Sequence, residues 1–248
     1  MAAIYVLWIR QIKKYLRSKS RIVASVAQPL LFLVAFGFGF GPIFSKAGGG
    51  DYIEFLAPGV IMMAIIFTAI FSGIELIWDK QFGFLKETLV APVSRFNIML
   101  GRTLGGATVA IIQGVVVFVI TLFVGFRPGS LTMLPVAFIF MMLVALLFTA
   151  LGTAIASKVE DMQAFPLIMN FVVMPLFFLS GAFFPLASLP KALYLVTVIN
   201  PLSYGVDGIR GALAGTNHFS YFTDFSVLAI VTALVLLSGA YLFSKIEA

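Results

Sequence analysis

The sequence predicts an all-α protein that crosses a membrane several times, and three observations support this fold class. Of its 248 residues, 61% are hydrophobic and only 10% are charged, with a mean hydropathy of +1.11. Soluble domains average about 25% charged residues, so a single soluble core is excluded. Several apolar runs exceed the roughly 18 residues that mark a transmembrane helix. At about 20 residues each, six spans with short connections fit the length.

Residues 1–21 predict an amphipathic helix lying at the membrane surface. This segment has six Lys and Arg residues and no acid. Its larger apolar residues recur at three- and four-residue steps, typical of one helical face: Ile4, Tyr5, Trp8, Ile12, Tyr15 and Leu16. Cations opposite such a stripe favour the cytoplasmic headgroup layer. A signal peptide is the alternative, but the apolar run after Arg21 exceeds the roughly 7–15 residues of a signal peptide's apolar region.

Six spans are predicted, at residues 22–44, 55–78, 104–126, 131–157, 163–183 and 225–243. The far end of the first contains Gly37, Gly39 and Gly41. Because no strand precedes them, these glycines predict close helix packing or a loosened helix end, and not a dinucleotide-binding loop. Gly101 and Gly105, spaced as in a small-xxx-small motif, predict packing at the entrance of the third span.

Few ionisable residues lie near the predicted spans. Glu75 is near the end of the second span, where a hydrated position at the membrane boundary is favoured over a functional role. Glu160 and Asp161 follow the fourth span, and solvated charge is favoured over a proton relay there. Pro166 and Pro175 are expected to bend the fifth span.

Residues 184–224 predict a short helical hairpin before the last span. The apolar stretch at 192–199 is too short to cross a membrane and is bounded by proline and glycine. Such a segment is tolerated only where protein or water covers its backbone, so a re-entrant or interfacial hairpin is expected. His218, the only histidine, lies in a polar stretch and is expected to be a solvated loop residue.

The distribution of Lys and Arg predicts the orientation. With a cytoplasmic N-terminus, twelve of them fall on the cytoplasmic side and four, Lys46, Arg127, Lys191 and Arg210, on the external side. This asymmetry over short loops follows the positive-inside rule, so both termini are predicted to be cytoplasmic. The net charge of +6 then reflects topology and does not indicate a nucleic-acid partner. Residues 79–95 are predicted to lie in the cytoplasm.

The sequence contains no recognisable catalytic, cofactor or metal site. Cysteine is absent, and there is no Gly-x-x-x-x-Gly-Lys-Ser/Thr phosphate loop, no His-x-x-x-His pair and no hydrolase constellation. No predicted span has a mid-membrane charge that would couple transport to an ion gradient. The energy for uphill transport must therefore enter from a separate protein.

Residues 79–95 form the longest charged interruption between apolar segments in the first half of the chain. Positive-inside bias explains their cations but not the apolar residues between them. A helical loop here would present an apolar face with Lys86 and Glu87 at its rim, suited to a soluble partner. The residues expected on that face are Phe82, Phe84, Leu85, Leu89 and Val90.

Two motifs resemble those of one known family. Residues 79–87, which read Asp-Lys-Gln-Phe-Gly-Phe-Leu-Lys-Glu, together with Ala-Pro-Val-Ser-Arg at 91–95 and Gly-Arg at 101–102, are similar to the cytoplasmic loop of ATP-binding-cassette type-2 permeases. The most similar branch is that of the daunorubicin-resistance and nodulation-factor exporters. Residues 184–190 and 200–210 resemble the family's signature before the last span. The resemblance covers essentially the whole chain.

The resemblance implies that residues 79–95 form a coupling helix in a groove of a separate ATP-binding subunit. The interface residues it implies are Asp79, Lys80, Phe82, Gly83, Phe84, Lys86, Glu87, Pro92 and Arg95, and the signature residues are Asn200, Pro201, Asp207 and Arg210. The family often has an acid where this chain has Gln81, so no ion pair to the ATPase is implied at that position.

The same resemblance implies two permease copies with two ATPases, either as a homodimer or with a close paralogue, in the cytoplasmic membrane of a prokaryote. This chain then holds no cofactor, because ATP and magnesium bind to the partner subunit. Export of a drug, lipid or glycan type of amphiphile is implied. The alternatives are a secondary transporter or channel, disfavoured by the lack of buried charge, and a membrane enzyme, disfavoured by the lack of a catalytic cluster.

Overall fold

The computed structural model describes residues 2–46 and 50–245, and within these ranges all regular elements are helices. The helices are α1 (Ala2–Arg17), α2 (Lys19–Lys46), α3 (Tyr52–Phe71), α4 (Ile74–Gln81), α5 (Phe84–Val90), α6 (Arg95–Val124), α7 (Leu134–Lys158), α8 (Ala164–Phe178), α9 (Lys191–Ile199), α10 (Pro201–Ala214) and α11 (Tyr221–Ser244). Short 3-10 turns lie at Leu131–Met133 and Leu186–Ser188. The all-α prediction is confirmed for the described residues. The predicted connection at 45–54 lies partly outside the described residues, and residues 246–248 lie wholly outside them.

Five segments are long and apolar enough to cross a membrane: Lys19–Lys46, Tyr52–Gln81, Arg95–Val124, Leu131–Lys158 and Tyr221–Ser244. They overlap five of the six predicted spans and make the chain a multi-pass membrane protein. The segment at Arg95–Val124 begins nine residues before the predicted 104, because Arg102 is buried inside α6 and does not end the apolar run.

The predicted fifth span, 163–183, contains a helix of only 15 residues, α8. The helix ends where Ser180 N donates to Phe177 O (3.2 Å) and Gly181 turns left-handed with φ +78°. Pro175 lies inside α8, three residues before its last residue, Phe178. The remainder of the predicted span is therefore an irregular turn, and a sixth span is not established.

α3 is the central helix of the bundle. From Leu56 to Ile66 every residue is buried, as expected for a helix that is hydrophobic on all sides. α3 and α4 follow one another across Gly73, which lies against Gly152 of α7. A Cβ atom on Gly73 would be 2.5 Å from the carbonyl oxygen of Gly152. Glycine at this crossing is what allows the two backbones to approach so closely.

α1 packs along α6 through the predicted glycine pair. A Cβ atom on Gly105 would lie 2.7 Å from Gln11 Cβ, and one on Gly101 would lie 3.0 Å from Ile4 O. The close approach predicted for this pair is confirmed. Of Gly37, Gly39 and Gly41 in α2, only Gly37 packs closely: a Cβ atom on it would lie 3.2 Å from Ile53, whereas one on Gly39 or Gly41 would have nothing within 4 Å.

Two hydrogen bonds fix the rotation of α1 on α6. Trp8 Nε1 donates to Thr108 Oγ1 at 2.9 Å, and the Tyr15 hydroxyl donates to Gln113 Oε1 at 2.5 Å. Burial raises the pKa of the Tyr15 phenol, so it stays a neutral donor. The predicted N-terminal helix is therefore present, while its position in the headgroup layer stays a prediction.

The chain alternates in direction, which gives the bundle two ends. At the end that we name after α5, Lys80 of α4 donates to Ser157 O near the end of α7. We name the opposite end after α10. The twelve Lys and Arg residues predicted to be cytoplasmic belong to segments at the α5 end, and the other four belong to segments at the α10 end. Which end faces the cytoplasm stays a prediction.

The predicted hairpin region contains two helices of opposite character. α9 exposes Leu195 and Ile199, whereas α10 is buried from Leu202 to Leu213. Glycines let α10 enter the bundle, since a Cβ atom on Gly205 or Gly208 would lie 2.4 Å from a side chain of α7. Only α9 therefore has the surface character expected of an interfacial hairpin.

We expect Gly73→Ala to lower the thermal stability of the purified protein. The new methyl group would overlap the backbone of α7, and such overpacking costs about 1–3 kcal/mol. Gly39→Ala is the control, because the same methyl group is added where nothing lies within 4 Å of it. Thermal unfolding in one detergent compares the two, and equal midpoints would contradict the close crossing of α3/α4 and α7.

Candidate functional site

Residues 79–95 are not one continuous helix. They comprise the end of α4, a turn, the short helix α5 and the first residue of α6. α4 ends at Gln81, α5 covers Phe84–Val90, and Ser94 caps α6 by accepting a hydrogen bond from Asn97 N at 3.3 Å. Gly83, between α4 and α5, has φ +79°. An L-residue is strained there and proline, fixed near −65°, is excluded. Glycine therefore permits the sharp turn that begins α5.

Asp79 points into the protein and is 5% exposed. Its Oδ1 atom accepts a hydrogen bond from Arg10 of α1 at 3.0 Å, and its Oδ2 atom accepts one from the buried guanidinium of Arg102 in α6. These bonds remove Asp79 from the expected contact surface. A buried carboxylate needs such partners because desolvation of an unpaired charge is costly.

Glu75 is one turn before Asp79 and is also 5% exposed. Its Oε1 atom lies 2.6 Å from Arg21 Nη1 of α2, and its Oε2 atom lies 3.4 Å from Lys14 Nζ of α1. The prediction of a hydrated Glu75 is wrong, because α1 and α2 cover it. We call Arg10, Lys14, Arg21, Glu75, Asp79 and Arg102 the charge cluster.

Sequence reasoning missed the cations of this cluster, although one signal was available. Glu75 and Asp79 are four residues apart and so lie on one helical face, where two like charges repel. Their neutralisation required nearby cations, and the acid-free N-terminal segment was the richest source of them. The sequence offered no means of pairing individual residues over separations of 54 and 69 positions.

Lys80 and Gln81 also bond within the chain. Lys80 Nζ donates to the carbonyl oxygens of Ala156 (3.2 Å) and Ser157 (2.6 Å) near the end of α7. A cation is favourable there because helix C-terminal carbonyls lack partners and carry partial negative charge. Gln81 Nε2 donates to Glu160 O at 3.3 Å. Glu160 and Asp161 are exposed, as predicted.

The surface of this segment is formed by residues on and around α5. Phe82, Phe84 and Val90 are exposed by 67%, 52% and 83% of their areas. Leu85 is buried and Leu89 packs on the core, so the prediction that these two belong to the exposed apolar face is wrong. We call the exposed residues the α5 patch: Phe82, Phe84, Lys86, Glu87, Val90 and Pro92. Arg95 is half-buried at the start of α6.

The signature residues before the last span tie chain segments together at the α10 end. Asn200 accepts a hydrogen bond from Leu202 N (3.0 Å), which caps α10, and its Nδ2 donates to Leu176 O in α8 at 2.6 Å. Pro201 occupies the first turn of α10, where its missing N–H is harmless. The pair therefore joins the end of α8 to the start of α10.

Asp207 and Arg210 bond to backbone groups and not to each other. Asp207 accepts hydrogen bonds from His218 N (2.9 Å) and Phe219 N (2.7 Å). Arg210 donates to Gly181 O at 2.9 Å and lies over the Phe55 ring, 4.0 Å from its centroid. The side chain of His218 is exposed, as predicted for a loop residue.

The relatives of the chain agree with this architecture. The sequence model of a family described as "ABC-2 type transporter" matches residues 2–214. The chain belongs to this family. It is similar to the putative transport permease ycf38 of Porphyra purpurea, with 31% identity over 93% of this chain and 83% of the relative. The resemblance expected from residues 79–95 and 200–210 is thereby confirmed.

Two bacterial relatives support the same assignment. The inner membrane transport permease YadH of Escherichia coli (strain K12) is 28% identical over 90% of this chain and 88% of its own. Nodulation protein J of Rhizobium leguminosarum bv. viciae is 28% identical over 82% of this chain and 80% of its own. The protein is therefore a multi-pass membrane transport permease.

We expect Asp79→Asn to destabilise the permease by about 3 kcal/mol or more, because Arg102 would be left buried with its charge unpaired. Glu87→Gln removes an acid from the exposed α5 patch and should change stability by about 0.5 kcal/mol at most. Thermal unfolding of both variants in the same detergent checks this. Equal losses of stability would argue that Asp79 does not neutralise the buried charge of Arg102.

Proposed function

We propose that this permease is the membrane subunit of an ATP-driven exporter and that a separate ATP-binding subunit docks on the α5 patch. The observation that carries the proposal is the exposure of Phe82, Phe84 and Val90 at the end of the bundle, beside Lys86 and Glu87. A small apolar centre with a charged rim is typical of protein contact sites. Membership of the ABC-2 family supports an ATPase as the partner.

The bonds behind the patch support a role in transmitting force. α5 follows α4, and α4 is bonded to α1, α2 and α6 through the charge cluster and to α7 through Lys80. A displacement of α5 would therefore act on several membrane helices. In this proposal ATP and magnesium bind to the partner, both termini are cytoplasmic, and closure of the ATPase shifts the spans between inward- and outward-open states.

We further propose that two permease copies form the transport pathway and that the substrate is amphiphilic, of drug, lipid or glycan type. Support comes from apolar side chains on α2 and α8 that have no cover within one chain, among them Leu31, Phe38 and Phe171. Between these helices Phe36, Phe177 and Phe183 form an aromatic cluster, with centroids 5.1 and 5.3 Å apart. Such a surface suits a second copy, lipid, or an apolar cargo.

Phe84→Asp tests the docking role, because Phe84 is half-exposed and its replacement leaves the core intact. We expect at least about tenfold weaker co-purification of the ATPase encoded in the neighbouring reading frame, as for loss of an interface anchor, and loss of export. Phe222→Asp, the same change in an exposed residue at the α10 end, is the control and should retain the ATPase.

Equal yield and monodispersity of both variants would show that each still folds. If Phe84→Asp kept both ATPase binding and export, the α5 patch would not be the docking surface. If the neighbouring frame encoded no protein with a phosphate loop, the search for an ATPase partner would have to begin elsewhere in the genome.

A secondary transporter is a second candidate, and one buried residue favours it. Asp224, in the first turn of α11, has no exposed area, and neither carboxylate oxygen has a hydrogen-bond partner among the described residues. Ionisable groups of this kind often mark ion or proton pathways. Asp224 lies at the end of a span and not at its middle, which makes this function the weaker candidate.

Transport into sealed vesicles separates the two candidates. For the exporter we expect transport only with ATP and the partner subunit, and little change in its rate with Asp224→Asn. Uptake driven by a proton gradient without nucleotide, abolished by Asp224→Asn, would instead establish the secondary transporter.

A further inference from the structure

The charge cluster carries more positive than negative charge. Its cations are Arg10, Lys14, Arg21 and Arg102, and its acids are Glu75 and Asp79, so two positive charges are left over among the described residues of the cluster. Arg102 is buried, but the side chains of Arg10, Lys14 and Arg21 are exposed by 43%, 38% and 33%. An anion approaching from outside can reach these three.

A pocket of about 260 Å³ opens beside one of these cations. It lies between the end of α1, the first turns of α2 and the second half of α3. Its polar edge is formed by Tyr15, Arg21, Ser25 and Gln28, and its apolar wall includes Phe67 and Phe71. The pocket therefore combines one cation and several polar groups with a largely apolar α3 wall.

The surface around the pocket suits lipid. Val23 and Leu31, on the same helix as Arg21, are exposed by 68% and 66% and have no apolar cover within the chain. Arg21 lies near the start of the span Lys19–Lys46, where a membrane-spanning helix meets the headgroups. A free phosphate ion would leave the apolar wall unused, whereas a phospholipid would contact both sides of the pocket.

We propose that this pocket binds the phosphate headgroup of an anionic phospholipid from the surrounding bilayer. The phosphate accepts hydrogen bonds from Arg21, and the first acyl carbons lie against Phe67 and Phe71. Arg21 donates to Glu75 through Nη1, and a guanidinium has five N–H groups, so donors remain for a phosphate. The headgroup supplies the negative charge that the cluster lacks. This proposal does not rest on the exporter function.

The test is lipid retention measured by native mass spectrometry. The permease is placed in nanodiscs of phosphatidylglycerol and phosphatidylcholine in equal amounts, and the ratio of the two lipids still bound after release is determined. For the wild type we expect retained phosphatidylglycerol to exceed phosphatidylcholine. Arg21→Gln should reduce this preference about tenfold, as for loss of one charge-assisted phosphate contact.

Two further variants separate the pocket from general attraction to a basic surface. Lys13→Gln removes the same charge from an exposed residue outside the pocket and should keep the preference. Ala24→Trp fills the pocket from an exposed position on α2 without altering a charge, and should abolish the preference. If Arg21→Gln fails to fold, Ala24→Trp alone still tests whether the pocket holds the lipid.

The proposal is overturned if Ala24→Trp retains phosphatidylglycerol as the wild type does, or if Lys13→Gln and Arg21→Gln lose it equally. A bound amphiphile of another mass, released by Ala24→Trp while phosphatidylglycerol is not retained, would show that the pocket belongs to a transported substrate and would overturn it as well.

Discussion

Glu75 and Asp79 are buried one turn apart on α4, and the arrangement of the α5 end depends on how their charge is neutralised. Arg10 and Lys14 of α1, Arg21 of α2 and Arg102 of α6 provide the cations. α5 itself has seven residues and buries only Leu85. Apolar packing of α5 is therefore too small to fix its place, and the ion pairs of the preceding helix do so instead.

The α10 end is held by a different kind of interaction. Asn200, Asp207 and Arg210 each bond to backbone groups of another segment, at Leu176, at 218–219 and at Gly181. Backbone groups without helical partners are costly within a membrane protein, and polar side chains near chain turns supply the missing hydrogen bonds. The α5 end is thus held by ion pairs between side chains, whereas the α10 end is held by hydrogen bonds between side chains and backbone groups at helix ends and turns. The signature before the last span is explained by this structural role.

How far the sequence predicts the structure depends on the range of the interaction. The five spans follow from local composition, and the packing at Gly101 and Gly105 follows from their spacing, so the sequence was sufficient to predict them. The inward direction of Leu85 was not, because it depends on the left-handed turn at Gly83, which separates α5 from α4. The pairing of Arg10 with Asp79 joins residues 69 positions apart, and helical periodicity carries no information about such partners.

α8 is too short to cross a membrane as a straight helix. Its 15 residues extend about 22 Å at 1.5 Å per residue, whereas a hydrocarbon core is about 30 Å thick. The missing length falls on the irregular turn after Phe178, where the carbonyl oxygens of Gly181 and Ala182 accept hydrogen bonds from Arg210. α8 therefore cannot be extended to the length of a full span without breaking these bonds, so Arg210 of α10 fixes the point at which α8 stops.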